Sequence, residues 1–259
     1  MIKVHVLACG STTVDEALPF SSRSRNPLAF TGLFRGKKHK ISVPVRAYLI
    51  EHPQGLVLID TGWDEAIRKD ARSYEGFANY FASPGELPSG EGIRDQLAGL
   101  GYSIRDIDAV LMTHLDIDHA GGLQMVKDVP DIYCSQKEWD AAQKSNPRYL
   151  KRLWNGIRMK TFEDQPDLYD HTITAVAMPG HSAGMTAYRI GTLDRYLMIA
   201  GDAGYGRPSY ENLDLPGVEW NRQAAMDSLK RLKKMASDPH CLDILMTHDT
   251  EEKQPVYKI

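Results

Sequence analysis

Four side chains able to bind a metal, His114, Asp116, Asp118 and His119, fall within the stretch Thr113-His114-Leu115-Asp116-Ile117-Asp118-His119-Ala120-Gly121-Gly122. Imidazole nitrogen and carboxylate oxygen are ligands for zinc, iron and manganese alike. Alternating positions on a tight loop can aim several of them at one or two ions. Acidic and histidine residues also collect on polar loops, so the reading rests on the density of the cluster and on its partners downstream. Three later apolar runs also end in a residue of this kind: His181 in Pro179-Gly180-His181-Ser182-Ala183-Gly184, Asp202 in Gly201-Asp202-Ala203-Gly204-Tyr205, and His248 in Thr247-His248-Asp249. Open α/β folds place ligands beyond strand ends, so this recurrence points to a single site.

The elements that must position these residues are legible as apolar runs and breakers. Residues 2–8 read as a first strand, followed by a polar loop from Ser11 to about Ile41. A loop of that length suits a flap near a pocket mouth, and its basic run Arg35-Gly36-Lys37-Lys38-His39-Lys40 reads as a solvated face. Val43 to Ile50 and Leu56 to Ile59 form a hairpin around Pro53 and Gly55. Asp60, at the end of that hairpin, is either a turn or capping residue or an acceptor that orients a metal-bound imidazole. The aromatics Trp63, Tyr74, Phe77, Tyr80 and Phe81 are expected to pack on the domain's own surface.

A short helix from Gly92 to Leu100 ends at Gly101, and Asp108 opens the strand leading to the cluster. Asp131 to Cys134 is a strand, Ser135 caps a helix reaching about Lys144, and Pro147 starts a second helical segment carrying Tyr149, Leu150, Leu153 and Trp154. Strands are expected at 172–178, 185–190, 196–200 and 242–246. Asn221 caps the clearest helix, in which Ala225, Leu229, Leu232 and Ala236 repeat at helical spacing. Strands and helices interleave without a repeat of 20 to 50 residues, which excludes solenoids and propellers and fits one layered α/β domain over residues 1–259.

A net charge of -3 gives no general attraction to nucleic acid or to an anionic membrane, which leaves a small-molecule substrate. No apolar run approaches transmembrane length and no secretory leader is visible, so a cytoplasmic protein is expected. Cys9, Cys134 and Cys241 are too scattered for a disulfide framework and read as reduced. Oligomeric state stays open, with a homodimer one option.

The stretch from His114 to His119 resembles the His-x-His-x-Asp-His signature of the metallo-β-lactamase superfamily, with Asp116 in place of the second His. The pieces Met178-Pro179-Gly180-His181-Ser182, Asp202-Ala203-Gly204-Tyr205 and His248-Asp249, with the helix from Asn221 to Ser237, resemble the N-acyl-homoserine lactonase group most. The resemblance implies a four-layer αβ/βα sandwich and a metal-dependent hydrolase that opens a lactone or cleaves a related ester with hydroxide. One ion would take His114, His181 and Asp116, the other Asp118, His119 and His248, and Asp202 would bridge them. Asp60 becomes the orienting acceptor, and Asp118 and Tyr205 the catalytic groups. Zinc is the first choice of metal. Asp116 shifts the preference toward manganese or iron(II), since oxygen suits harder ions than nitrogen does. It also changes the charge: two dications, three carboxylates and one hydroxide sum to zero rather than to plus one. Met185 departs from a second His common in the lactonase and glyoxalase II groups. The alternatives are a diiron redox protein of the same fold, as in flavodiiron proteins, and a non-catalytic binding protein.

Overall fold

The computed structural model describes residues 1–144, 146–163, 166–251 and 253–259. Its first sheet grows from a long hairpin. β1 (Lys3–Asp15) lies antiparallel to β2 (Lys40–His52), which turns through Pro53 and Gly55 into β3 (Gly55–Ile59). After α1 (Ile67–Glu75), α2 (Phe77–Ala82), the short β4 (Gly85–Glu86) and α3 (Ile93–Gly99), the chain re-enters as β5 (Ala109–Leu111), parallel to β3. One helical turn, α4 (Ile117–Ala120), then leads to β6 (Asp131–Ser135), α5 (Gln136–Gln143) and β7 (Met159–Phe162).

The second sheet holds β8 (Asp167–Leu168), β9 (Ile173–Ala177), β10 (Thr186–Thr192) and β11 (Arg195–Gly201) as antiparallel neighbours. After α6 (Arg207–Glu211) and α7 (Arg222–Ala236), β12 (Cys241–Met246) pairs parallel to β11, and β13 (Val256–Lys258) returns to the edge of the first sheet beside β1. The strand orders are β13-β1-β2-β3-β5-β6-β7 and β12-β11-β10-β9-β8.

Strand alternation divides the core into three apolar layers. Ile59 and Leu111 face Ile173, Ile190, Leu197 and Leu245 across the two sheets, whereas Leu58 and Val110 point the other way, toward Ile93 and Leu97 of α3. Both faces of β3 and β5 are buried, which is why they read as unbroken apolar runs. Likewise Met198 and Ala200 of β11 meet Leu229 and Leu232 of α7. The result is the four-layer α/β sandwich expected, and truncating Leu229 or Leu111 to Ala would cost about 2 to 5 kcal/mol.

Three local expectations are corrected. The first strand continues to Asp15, because Thr12 and Val14 are buried on one face and pair with β2 after an irregularity between Ala8 and Ser11, where Gly10 adopts φ +96. The loop is therefore residues 16–39. The segment after Pro147 forms only a single 3-10 turn, Lys151–Leu153, because Leu150 before it is extended. Trp63 is a core residue whose Nε1 donates to the Ser11 carbonyl at 3.2 Å, while Phe77 and Phe81 stack on the outside.

Candidate metal centre

Strand ends deliver most of the cluster. Asp60 follows β3, His114 follows β5, His181 lies in the turn between β9 and β10, Asp202 follows β11 and His248 follows β12. Asp118 and His119 sit in the single turn of α4, which Asp116 precedes in an extended conformation without using its side chain as a cap. The two glycines that end the motif permit the close approach of the Asp60 loop. A Cβ on Gly121 would lie 2.6 Å from the Gly62 carbonyl oxygen, and one on Gly122 would lie 2.7 Å from that of Thr61.

Hydrogen bonds on the far side of three of the rings fix their tautomers, while Nδ1 of His181 is buried without a partner among the described residues. His119 Nδ1 is 2.8 Å from Asp60 Oδ2, and His248 Nδ1 is 2.7 Å from the Pro44 carbonyl oxygen. Both partners can only accept, so both rings donate from Nδ1 and turn Nε2 inward. Thr113 extends the same logic to His114. Its hydroxyl gives its one proton to Asp60 at 2.7 Å, so at 3.0 Å its oxygen accepts from His114 Nδ1. Asp60 thus orients two imidazoles, one directly and one through Thr113, and the orienting role is the one its position serves.

The inward nitrogens meet carboxylates. His248 Nε2 lies 3.3 Å from oxygens of both Asp118 and Asp202, and His119 Nε2 lies 3.2 Å from Asp202 Oδ1. His181 Nε2 is 3.0 Å from Asp116 Oδ2 and 3.7 Å from Asp202 Oδ2. Two groups of converging donor atoms result, His114 with His181 and Asp202, and Asp118 with His119 and His248. Asp116 stands beside the first, its Oδ2 3.4 Å from His114 Nε2.

Within this cluster Nε2 of His114 and of His119 and Oδ1 of Asp202 are buried without a hydrogen bond among the described residues. Each such orphan costs about 1 to 3 kcal/mol, and a cation in each donor group would satisfy them. The donor set of imidazoles and carboxylates suits zinc, manganese or iron.

Electrostatics agree. Burial opposes the charged form of His119 and His248, yet Asp202 and Asp60 hold the His119 pKa well above its ordinary value, and Asp202 and Asp118 push that of His248 up to about 10. Asp202 is likewise buried but is held well below the carboxylate range by His248 and His119. His181 is lowered, first by burial and then by the guanidinium of Arg148.

Arg148 and Glu138 are the members that sequence reasoning missed. Arg148 Nε and Nη2 grip the two oxygens of Asp116 at 2.5 and 2.6 Å, and Nη1 donates to the His181 carbonyl at 2.6 Å. Fully buried Glu138 accepts from the Leu115 amide, the Tyr149 hydroxyl, the Ser182 hydroxyl and the Gly184 amide. It ties the His114 loop to the His181 loop. The helical spacing of Glu138 gave no hint of this, and neither did the Asn-Pro-Arg context of Arg148.

A cavity of about 340 Å³ opens above the cluster, with Asp116, Asp118, His181, Asp202 and His248 in its floor. Val14, Leu18, Phe30, Val43, Ile117 and Val218 supply apolar wall, so the loop expected to flank a pocket mouth does line it. Tyr205 is buried in the same wall, stacked on His248 with ring centroids 5.3 Å apart. Burial, and then the negative charges of Asp202 and Asp118, raise its pKa well above the ordinary value, so the phenol keeps its proton. Lys37 and Lys38 of the basic run stay exposed, while Arg35 pairs with Asp15 at 2.6 Å. Among the described residues no helix is long and apolar enough to cross a membrane.

Known proteins share the family and the fold of this chain. The family model described as the metallo-beta-lactamase superfamily matches residues 42–239. An N-acyl homoserine lactonase of Bacillus cereus is 28% identical over 217 residues, covering 83% of this chain and 84% of the relative. The N-acyl homoserine lactonase AttM of Agrobacterium fabrum is 25% identical over 232 residues, covering 84% and 86%. Among solved structures, an N-acyl homoserine lactone hydrolase with its product at the catalytic metal centre superposes with a TM-score of 0.80 at 24% identity, covering 96% of this chain and 93% of that one. AidC, a dizinc quorum-quenching lactonase, gives a TM-score of 0.68 at 19% identity, covering 96% and 88%.

Proposed function

The chain belongs to the metallo-β-lactamase superfamily, and from that premise we propose that it is a single-domain, dinuclear metal-dependent hydrolase opening lactones or cleaving related esters of small, partly apolar substrates. The observation that carries this reading is the pair of converging donor groups with buried, unpartnered atoms turned inward. His114, His181 and Asp116 would hold one ion, Asp118, His119 and His248 the other, with Asp202 serving both. Zinc is the first candidate, with manganese or iron(II) favoured to the extent that Asp116 contributes oxygen. When bound, the ions acidify water, toward a pKa of about 7 in favourable zinc sites, and polarise the substrate carbonyl.

The chain's own residues supply the rest. Asp118, partly exposed in the cavity floor, takes up the proton released as water attacks and returns it to the departing alkoxide. Tyr205, held protonated, donates to the oxygen that gains charge as the carbonyl becomes tetrahedral. The apolar wall from Val14 to Val218 shields the site from bulk water and suits an acyl chain. No serine or cysteine nucleophile is needed. The test is a panel of lactones, thioesters and phosphodiesters offered to protein loaded in turn with zinc, manganese and iron(II). Turnover fastest on acyl lactones or esters supports the reading, and turnover confined to phosphodiesters overturns it.

A further inference from the structure

Asp116 stands where the superfamily signature has a histidine, and its carboxylate is held at both oxygens by one guanidinium. We propose that Arg148 is a positioning residue and fixed countercharge that lets a carboxylate replace a neutral imidazole beside the first donor group. The inference rests on the metal-dependent reading above.

The contacts define the role. Arg148 spends Nε and Nη2 on Asp116 and Nη1 on the carbonyl of His181, so one planar group fixes the carboxylate and the loop that carries a neighbouring imidazole. With Arg148 behind it, Asp116 Oδ2 faces His181 Nε2 at 3.0 Å and His114 Nε2 at 3.4 Å. The Arg148 side chain is only 20% exposed, and the adjoining Tyr149 is anchored through its hydroxyl to buried Glu138 at 3.0 Å. A pair set this deep differs from a solvated surface bridge, because removing either partner strands the other charge. Lysine could match the charge but not the planar two-point grip.

Charge explains why the two residues belong together. Two dications, three carboxylates and a hydroxide sum to zero, and adding a guanidinium, which does not deprotonate in proteins, gives plus one. Plus one is also the sum for a neutral imidazole at position 116 without Arg148. Asp116 and Arg148, 32 residues apart, together therefore carry the charge of one neutral imidazole.

The test is a double-mutant cycle of Arg148→Met, Asp116→His and the pair together, read as metal affinity by chelator competition on protein shown to be folded. Arg148→Gln serves if the Met variant does not fold. Each single variant should bind its more weakly held ion about tenfold less tightly, the effect typical of losing an outer partner of a metal ligand. The double variant should recover to within about threefold of the parent, because close partners do not add. Arg148→Lys should recover only part of the loss. Single effects that add in the double variant overturn the inference, as do melting temperatures that fall while metal affinity stays at the parent value. Parent protein that binds no metal overturns the proposed function and this inference with it, whereas a metal-binding parent with additive variants overturns this inference alone.

Discussion

Asp60 and His119 lie 59 residues apart in sequence, yet Asp60 Oδ2 accepts from His119 Nδ1 at 2.8 Å with both side chains fully buried. The same carboxylate receives the amide and the hydroxyl of Thr113 at 2.8 and 2.7 Å. Asp60 itself adopts φ +58, a left-handed conformation that aspartate takes more readily than most residues other than glycine.

Asp60→Asn is therefore expected to lower metal affinity by about 10 to 100-fold while leaving the fold intact, because the amide can present its NH2 to His119 and reverse the tautomer. Chelator competition on the folded variant checks this. Affinity equal to the parent's would mean that the inward nitrogens need no such support.

Tyr205→Phe should slow lactone or ester opening by about tenfold, or roughly 1.4 kcal/mol, with both ions retained. One lost donor in an oxyanion site can cost more, but here the ions share the task. The stacking of Tyr205 on His248 survives in Phe, which separates the hydroxyl from the packing. Unchanged turnover would leave the hydroxyl without a role in the reaction and assign Tyr205 to packing.

The histidine pKa shifts set a pH dependence for the metal-free protein. His248 is pushed from 6.5 up to about 10 in the fold, against burial, by Asp202 and Asp118. A base with a raised folded pKa stabilises the fold while protonated, so its contribution is full below 6.5 and is lost as the pH rises through about 10. The metal-free protein should melt at progressively lower temperature across that window. In the loaded protein Nε2 carries no proton, and the decline from this residue should vanish. Calorimetry of both forms from pH 6 to about 10 measures it, and parallel slopes would contradict the assignment.

Much of this was legible before the structure because the chemistry clusters locally. His114, Asp118 and His119 share one loop, and the runs ending at His181, Asp202 and His248 are buried on both faces, which makes them readable as strands. The polar stretch Ser11-Thr12-Thr13-Val14 was not readable, since its strand character comes from pairing with β2 and not from apolar alternation. Arg148 was invisible for a related reason: its partner is 32 residues away, on a segment whose apolar spacing suggests a helix that Leu150 prevents. Side-chain partnerships across loops leave no periodic trace.

The central claim is tested most directly by metal content measured together with turnover. Protein purified from metal-replete medium should hold about two ions per chain, one for each donor group, and His119→Ala or His248→Ala should lose the same one. Stripping both ions should abolish turnover of an acyl lactone, and restoring zinc, manganese or iron(II) should return it. Protein that takes up none of the three, or that turns over the lactone at full rate once stripped, would contradict the account.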